Sequence, residues 1–176
     1  MSQHPEFIPL CLCVLTVSDT RTADNDSSGD YLVDQLTAAG HCLHERMLLP
    51  DDRYKLRAQV SQWIADQRVD GVLVTGGTGF TGRDSTPEAL MPLLDKVMDG
   101  FGEVFRAISF QEIGTASLQS RAFAGLANGT FLFCLPGSTS ACRTAWEHIL
   151  ESQLDARTRP CNLVGLRPRL REKHKP

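Results

Sequence analysis

Hydrophobic and polar positions fall into short blocks whose period changes along the chain. Leu10 to Val17 is a nearly continuous apolar run, as expected of a strand buried on both faces. Ser27 or Ser28 can cap a helix that reaches Ala39, with Leu32, Leu36 and Ala39 on one face, and Gly40 supplies its stop. His41 to Leu49 predicts a second strand, less apolar and nearer an edge. From Asp52 a helix follows with Leu56, Val60, Trp63 and Ile64 at helical spacing. Gly71 to Val74 predicts a third, short buried strand that runs into a glycine-rich loop. Ser85-Thr86-Pro87-Glu88 predicts a helix start with a capping hydroxyl and proline in the first turn. Leu90, Leu93, Leu94 and Val97 form its expected apolar face, with a kink at Pro92. Phe101 to Asn128 predicts mostly helix, broken near Gly114 and Gly129. Thr130 to Leu135 predicts a further strand, and a last helix carries Cys142, Ala145, Trp146 and Ile149 on one side.

Strands alternating with helices imply an α/β fold: a three-layer sandwich with a mostly parallel central sheet and helices on both faces. The expected organisation is a single domain over residues 1–166 and a free, flexible basic tail over 167–176. In such sheets ligands sit beyond the carboxyl ends of the strands. Ser18-Asp19, Thr75 to Gly79, and Pro136-Gly137-Ser138-Thr139 each follow a strand and are expected on one edge, as is Pro50-Asp51-Asp52.

Composition narrows the function classes. The chain has 176 residues, 41% of them hydrophobic and 22% charged, in the range of an ordinary globular domain. A formal net charge of −3 gives no electrostatic case for nucleic acid or an anionic membrane as the main partner. The apolar run at Leu10 is too short to span a bilayer and no cleavage signal follows it, so the expected location is the cytoplasm. The cysteines (Cys11, Cys13, Cys42, Cys134, Cys142 and Cys161) lack paired metal-ligand spacing and are expected to be buried, reduced thiols. His4 and His174 fall in the termini, and no histidine lies beside a candidate nucleophile.

The segment Thr75-Gly76-Gly77-Thr78-Gly79-Phe80-Thr81-Gly82-Arg83-Asp84 carries the chemical signal. Closely spaced glycines let the backbone turn tightly and approach a ligand without Cβ obstruction, and their amides can face an anion. Arg83 adds a cation, and Asp84 a carboxylate able to hold Mg²⁺ or orient a phosphate. A nucleoside-triphosphatase phosphate loop needs Gly-Lys-Ser/Thr, and no lysine lies here. Gly76, Gly79 and Gly82 have a spacing compatible with a dinucleotide site, but that fingerprint follows the first strand of its unit, and here it follows the third.

The loop continues as Arg83-Asp84, one residue, then Thr86-Pro87-Glu88-Ala89. With Leu15 to Arg21, Ser28-Gly29, Pro50-Asp51, Gly100 to Glu103 and Leu135 to Ser138 in order, it resembles the MoaB/MogA and gephyrin-type molybdopterin-binding family of molybdenum cofactor biosynthesis over residues 10–165. Ser117 to Arg121 and Cys142 to Pro160 look closest to its B branch. The resemblance implies binding of molybdopterin, a pterin with a dithiolene and a terminal phosphate. It further implies adenylylation of that phosphate by ATP with Mg²⁺, releasing pyrophosphate. The alternative is a non-catalytic molybdopterin or nucleotide binder of the same pathway.

By position, the resemblance carries the catalytic acids, also candidate Mg²⁺ ligands, onto Asp51 and Asp84. The expected binding set is Ser18, Asp19, Thr75, Gly76, Gly77, Thr78, Gly79, Arg83, Pro136, Gly137, Ser138 and Thr139. Several have a plainer reading: Asp51, like its neighbour Asp52, as a helix cap, Asp84 as a helix-entry acid, Ser138 and Thr139 as N-caps, Asp19 as a turn residue, Arg83 as a solvated charge. The resemblance also implies homo-oligomers, trimers or hexamers, and other molybdenum cofactor enzymes as partners. Apolar residues such as Phe101, Phe105, Phe110 and Phe123, expected on helices, suit an oligomer contact or a core equally.

Overall fold

The computed structural model describes residues 6–170. Six strands form one mixed sheet in the order β2-β1-β3-β6-β5-β4. The strands are β1 (Cys11–Val17), β2 (Cys42–Leu49), β3 (Gly71–Thr75), β4 (Lys96–Val97), β5 (Phe123–Ala127) and β6 (Thr130–Leu135). β2, β1, β3 and β6 pair in parallel, whereas β5 runs antiparallel to β6 and to β4. The helices are α1 (Ser27–Ala38), α2 (Arg53–Ala65), α3 (Thr86–Leu90), α4 (Asp99–Ile113) and α5 (Thr139–Ala145). α5 continues through a π-helical turn at Trp146–Leu150 to Gln153.

Period-2 alternation along β1 splits the core in two. Leu10, Leu12 and Val14 pack with Leu32 and Leu36 of α1, Phe101 and Phe105 of α4, and Cys142, Ala145 and Trp146. Cys13, Leu15 and Val17 pack on the opposite face with Leu56, Val60 and Trp63 of α2 and Ala89 and Leu90 of α3. The expected three layers are therefore present.

Several elements differ from the sequence reading. Phe123–Ala127 is a strand, not the end of a helix, and it is buried along its whole length. Asn128 (φ 49°) and Gly129 (φ 83°) form the tight turn into β6, a hairpin connection that helix could not accommodate. The helix through Pro92 ends at Leu90; a 3-10 turn covers Met91–Leu93, and Val97 is an exposed strand residue. Proline lacks the N–H that α3 would need to continue. The Ser85 hydroxyl does not cap α3; it donates to Asp51 Oδ1. Cys42 and Cys161 are exposed and Cys11 is half-buried, against the expectation of six buried thiols; all are free. Cys42 opens β2, the terminal strand of the sheet, which has a strand neighbour on one edge only. Val164–Arg169 form a 3-10 turn and Arg167 pairs with Asp70, so the chain does not leave the body at 167. Residues 171–176 of the expected tail, with His4 and His174, lie outside the described residues. Among the described residues, no helix is long and apolar enough to cross a membrane.

Candidate functional site

The chain leaves β1 toward β2 on one side and returns through β3 on the other, so the strand order reverses between β1 and β3. Loops diverge at such a point, and a crevice opens beyond the carboxyl ends of the strands. A cavity of about 430 Å³ lies there. Ser18 after β1, Thr75 to Gly79 after β3, and Pro136 to Ser138 after β6 line it, with Asp84 in its wall. Ser109, Glu112 and Ile113 of α4 and Ser140 and Thr144 of α5 close the other side.

Two glycine turns meet at the base. The Gly76 amide donates to Leu135 O at 3.0 Å, and Thr75 Oγ1 donates to Pro136 O at 3.0 Å. A Cβ on Gly137 would stand 3.3 Å from Gly76 Cα. The loop's carbonyls are then used up one by one. Thr86 Oγ1 donates to Gly76 O at 2.9 Å and the Thr86 amide to Gly77 O at 2.9 Å. The Arg121 amide donates to Thr78 O at 2.9 Å and its Nε to Gly79 O at 2.7 Å. Among the described residues, the amides of Gly77 and Thr78 have no hydrogen-bond partner, and neither has the buried hydroxyl of Thr78. The buried Thr78 hydroxyl is costly while unpaired, by about 1–3 kcal/mol. A loop with satisfied carbonyls and orphaned donors is built for an acceptor.

The carboxylates flank this loop. Asp84 Oδ2 accepts from Thr81 Oγ1 at 2.6 Å and from the Thr81 amide at 2.8 Å. Burial presses its carboxyl upward, but Thr81, the Gly79 amide and the Arg121 charge hold it below the usual aspartate range. It is an anion at neutral pH. Asp51 accepts from the Ser85 amide at 3.2 Å and from the Ser85 hydroxyl. Its Oδ2 stands 2.6 Å from where a Gly77 Cβ would be, so it abuts the same loop from behind the cavity wall. Asp52 is the cap of α2, accepting from Tyr54 and Lys55 amides at 2.9 and 3.0 Å.

Other expected binding residues stand apart. Asp19 and Arg83 pair with each other at 2.5 Å on the exposed rim, and the Arg83 hydrogen bond lowers the Asp19 carboxyl. Neither lines the cavity. Thr139 Oγ1 lies 2.9 Å from Ser27 Oγ, toward α1, and also stands outside the lining. Ser138 caps α5 by accepting from the Ala141 amide at 3.2 Å, while its residue still faces the cavity.

The structure adds residues absent from the expected set. Arg21 lines the cavity and donates through Nη2 to Gly137 O at 2.9 Å. Its other side is held by buried Asp26, which also accepts from Thr16 Oγ1 at 2.7 Å and Arg46 Nη2 at 2.8 Å. Burial pushes the Asp26 carboxyl up, yet the Arg46 guanidinium, the Thr16 hydroxyl and the Gly29 amide together bring it below its ordinary value. A carboxylate with a depressed folded pKa stabilises above its unfolded pKa, and that contribution fades as pH falls through the folded one. Asp26→Asn is therefore expected to cost about 3 kcal/mol at pH 7. In urea titrations the gap between variant and wild type should close below about pH 4; a gap unchanged at pH 3 would contradict this.

Arg121, which in sequence belongs only to the Ser117 to Arg121 motif, binds the loop. Besides Thr78 and Gly79 it donates through Nη2 to Asp84 O at 2.7 Å and pairs with Glu88. Arg121→Ala should free the loop. Hydrogen exchange at the Thr81 and Asp84 amides, both hydrogen-bonded within the loop, should quicken about tenfold, the scale of one lost charge-assisted hydrogen bond. Unaltered exchange there would show that the loop holds its shape without Arg121.

Residues 13–156 match the family described as a probable molybdopterin binding domain, and the chain belongs to that family. Over 163 residues it is 58% identical to molybdenum cofactor biosynthesis protein B of Escherichia coli K12, covering 92% of this chain and 96% of that one. A crystal structure of a molybdenum cofactor biosynthesis protein B superposes with a TM-score of 0.82 at 36% identity, covering 93% of this chain and 98% of that one. A tungsten cofactor synthesizing protein from Pyrococcus furiosus superposes at 0.77 with 32% identity and the same coverage, 93% and 98%.

Proposed function

We propose that this protein acts in molybdenum cofactor biosynthesis, binding molybdopterin in the cavity and adenylylating its terminal phosphate with Mg-ATP. The orphaned amides of Gly77 and Thr78 and the buried Thr78 hydroxyl carry this reading, because they ask for an anionic oxygen. In the reaction a pterin phosphate oxygen bonds to the α-phosphorus of ATP, the bond from that phosphorus to the α–β bridging oxygen breaks, and pyrophosphate leaves. Two highly charged anions must be aligned, so the site's work is positioning and neutralisation. The Gly77–Thr78 donors hold one phosphate. The first turn of the helix from Ser138, with Arg21 beside Gly137, supplies the positive end for a second. Hard carboxylate oxygens suit Mg²⁺, which takes one or two of them together with phosphate oxygens. Asp84, in the cavity wall, would supply such an oxygen, whereas Asp51 stands outside the lining and braces the loop through Ser85. The ion would neutralise charge on the reacting phosphates.

The discriminating experiment is incubation of purified protein with molybdopterin, ATP and Mg²⁺. Formation of adenylylated pterin and pyrophosphate supports the transferase. Retained pterin without product would leave a non-catalytic binder. Self-association belongs to the same reading: Phe110, Ile113 and Leu118 are 49%, 58% and 78% exposed on α4 and the turn after it. Phe101, Phe105 and Phe123, by contrast, are core residues.

A further inference from the structure

A second cluster sits at the opposite, amino-terminal ends of β1 and β2. Cys11 opens β1, Cys42 opens β2, and the two are register partners on adjacent parallel strands. Neighbouring strands lie about 4.8 Å apart, within the roughly 4.4–6.8 Å Cα separation that a disulfide spans. Register partners also project to the same face of a sheet. Cys42 is exposed and Cys11 half-buried. Immediately beyond this pair the register slips: Leu12 faces Leu43 but Cys13 faces Glu45, so His44 is the extra residue of a β-bulge. Bulges re-aim side chains, and His44 Nδ1 lies 3.6 Å from Cys11 Sγ. Its Nε2 lies 3.7 Å from Asp66 Oδ2, and Arg68 in turn holds Asp66 at 2.6 Å. The carboxylate favours the tautomer protonated on Nε2, which leaves Nδ1 to accept the thiol proton.

We propose that Cys11 and Cys42 form a peroxide-sensitive dithiol in which His44 takes the proton from Cys11. The exposed Cys42 sulfur, losing its proton to water, attacks one oxygen of hydrogen peroxide; the O–O bond breaks and the departing hydroxide takes up a proton to leave as water. Cys11, deprotonated by His44, then attacks the Cys42 sulfenic sulfur, and the S–O bond breaks to release a second water. Two thiols are oxidised to one disulfide and one peroxide is reduced to two waters. Burial, with Asp70 and Cys42 nearby, raises the Cys11 thiol pKa, so it needs a base to act at neutral pH. Cys13, Cys134 and Cys142 are buried and take no part.

The test uses the reduced full chain treated with hydrogen peroxide, alkylated, digested and mapped by mass spectrometry. A Cys11–Cys42 linked peptide, reversed by dithiothreitol, is the expected result, with exposed Cys161 as internal control. Cys42→Ser should leave Cys11 fully alkylatable. His44→Gln should slow closure by about 10²-fold while Cys42 sulfenic acid still forms. The pH profile of closure should then follow the thiol alone. His44, Asp66, Arg68, Asp70 and Cys42 are the charged or titrating groups facing Cys11 in the wild-type chain, and Arg167 pairs with Asp70. Sulfenic or sulfinic acid at Cys42 with Cys11 still alkylated in the wild-type chain would overturn the proposal. Linkage of Cys42 to Cys161 in equal yield would do the same.

Discussion

Asp84→Asn is expected to stop adenylyl transfer, by about 10²–10³-fold in kcat, while molybdopterin binding is kept or tightened. The asparagine oxygen can still accept from the Thr81 hydroxyl and amide, so the turn that presents the side chain survives. What is lost is the negative charge, held ionised by those same donors, and with it a ligand for Mg²⁺. Removing an anion from beside bound phosphates relieves repulsion, which is why affinity should not fall. Turnover with labelled ATP, alongside calorimetric titration with the pterin, separates the two effects. Wild-type turnover in the variant would remove Asp84 from the mechanism.

Gly76→Ala is expected to damage both stability and binding. Gly76 has φ +107°, a conformation L residues rarely adopt, and an added Cβ would collide with Val17 O. Backbone strain alone costs about 1–3 kcal/mol, and the collision pushes apart the ends of β1 and β3 that form the cavity floor. A loss of roughly 3 kcal/mol lowers Tm by about 6–12 °C in a chain of this size. Gly82 gives the control within the same loop: its Cβ would meet nothing within 4 Å. Gly82→Ala should melt like wild type. If the two variants melted alike, tight packing at Gly76 would not be what holds the strand ends together.

The first half of the fold is legible because its apolar periods are clean. β1 is buried along nearly its whole length, α1 and α2 show one apolar face each, and Asp52 caps α2; α1 is capped by Asp26 and not by the expected Ser27 or Ser28, which lie inside the helix. The second half is harder to read. β5 has the sequence Phe-Ala-Gly-Leu-Ala, buried on both faces, so it lacks alternation, and alanine and leucine favour helix. The Asn128-Gly129 pair between two apolar runs was the available signal for a hairpin. β4 is two residues long and exists only through pairing with β5.

The site divides the same way. Gly76 to Gly79, Asp84 and Gly137-Ser138 can be found from sequence because parallel strands must end on one edge and anion loops need glycine. Arg121 cannot, since its function is to bond carbonyls 37 and 42 residues away. Asp26 is missed because the serines that follow it offer equally good caps in sequence; only its contacts with Gly29, Arg21, Arg46 and Thr16 reveal it as cap and arginine anchor. Asp19 and Arg83, conspicuous as charges, satisfy each other on the rim.

Hydrogen–deuterium exchange with and without Mg-ATP and molybdopterin tests the central claim directly, that strand ends from three parts of the chain make one pocket for phosphorylated ligands. Protection should appear together in peptides covering Ser18 to Arg21, Gly76 to Asp84 and Gly137 to Ser140. Ligand-induced protection confined to other surfaces, with these three segments unchanged, would contradict the account.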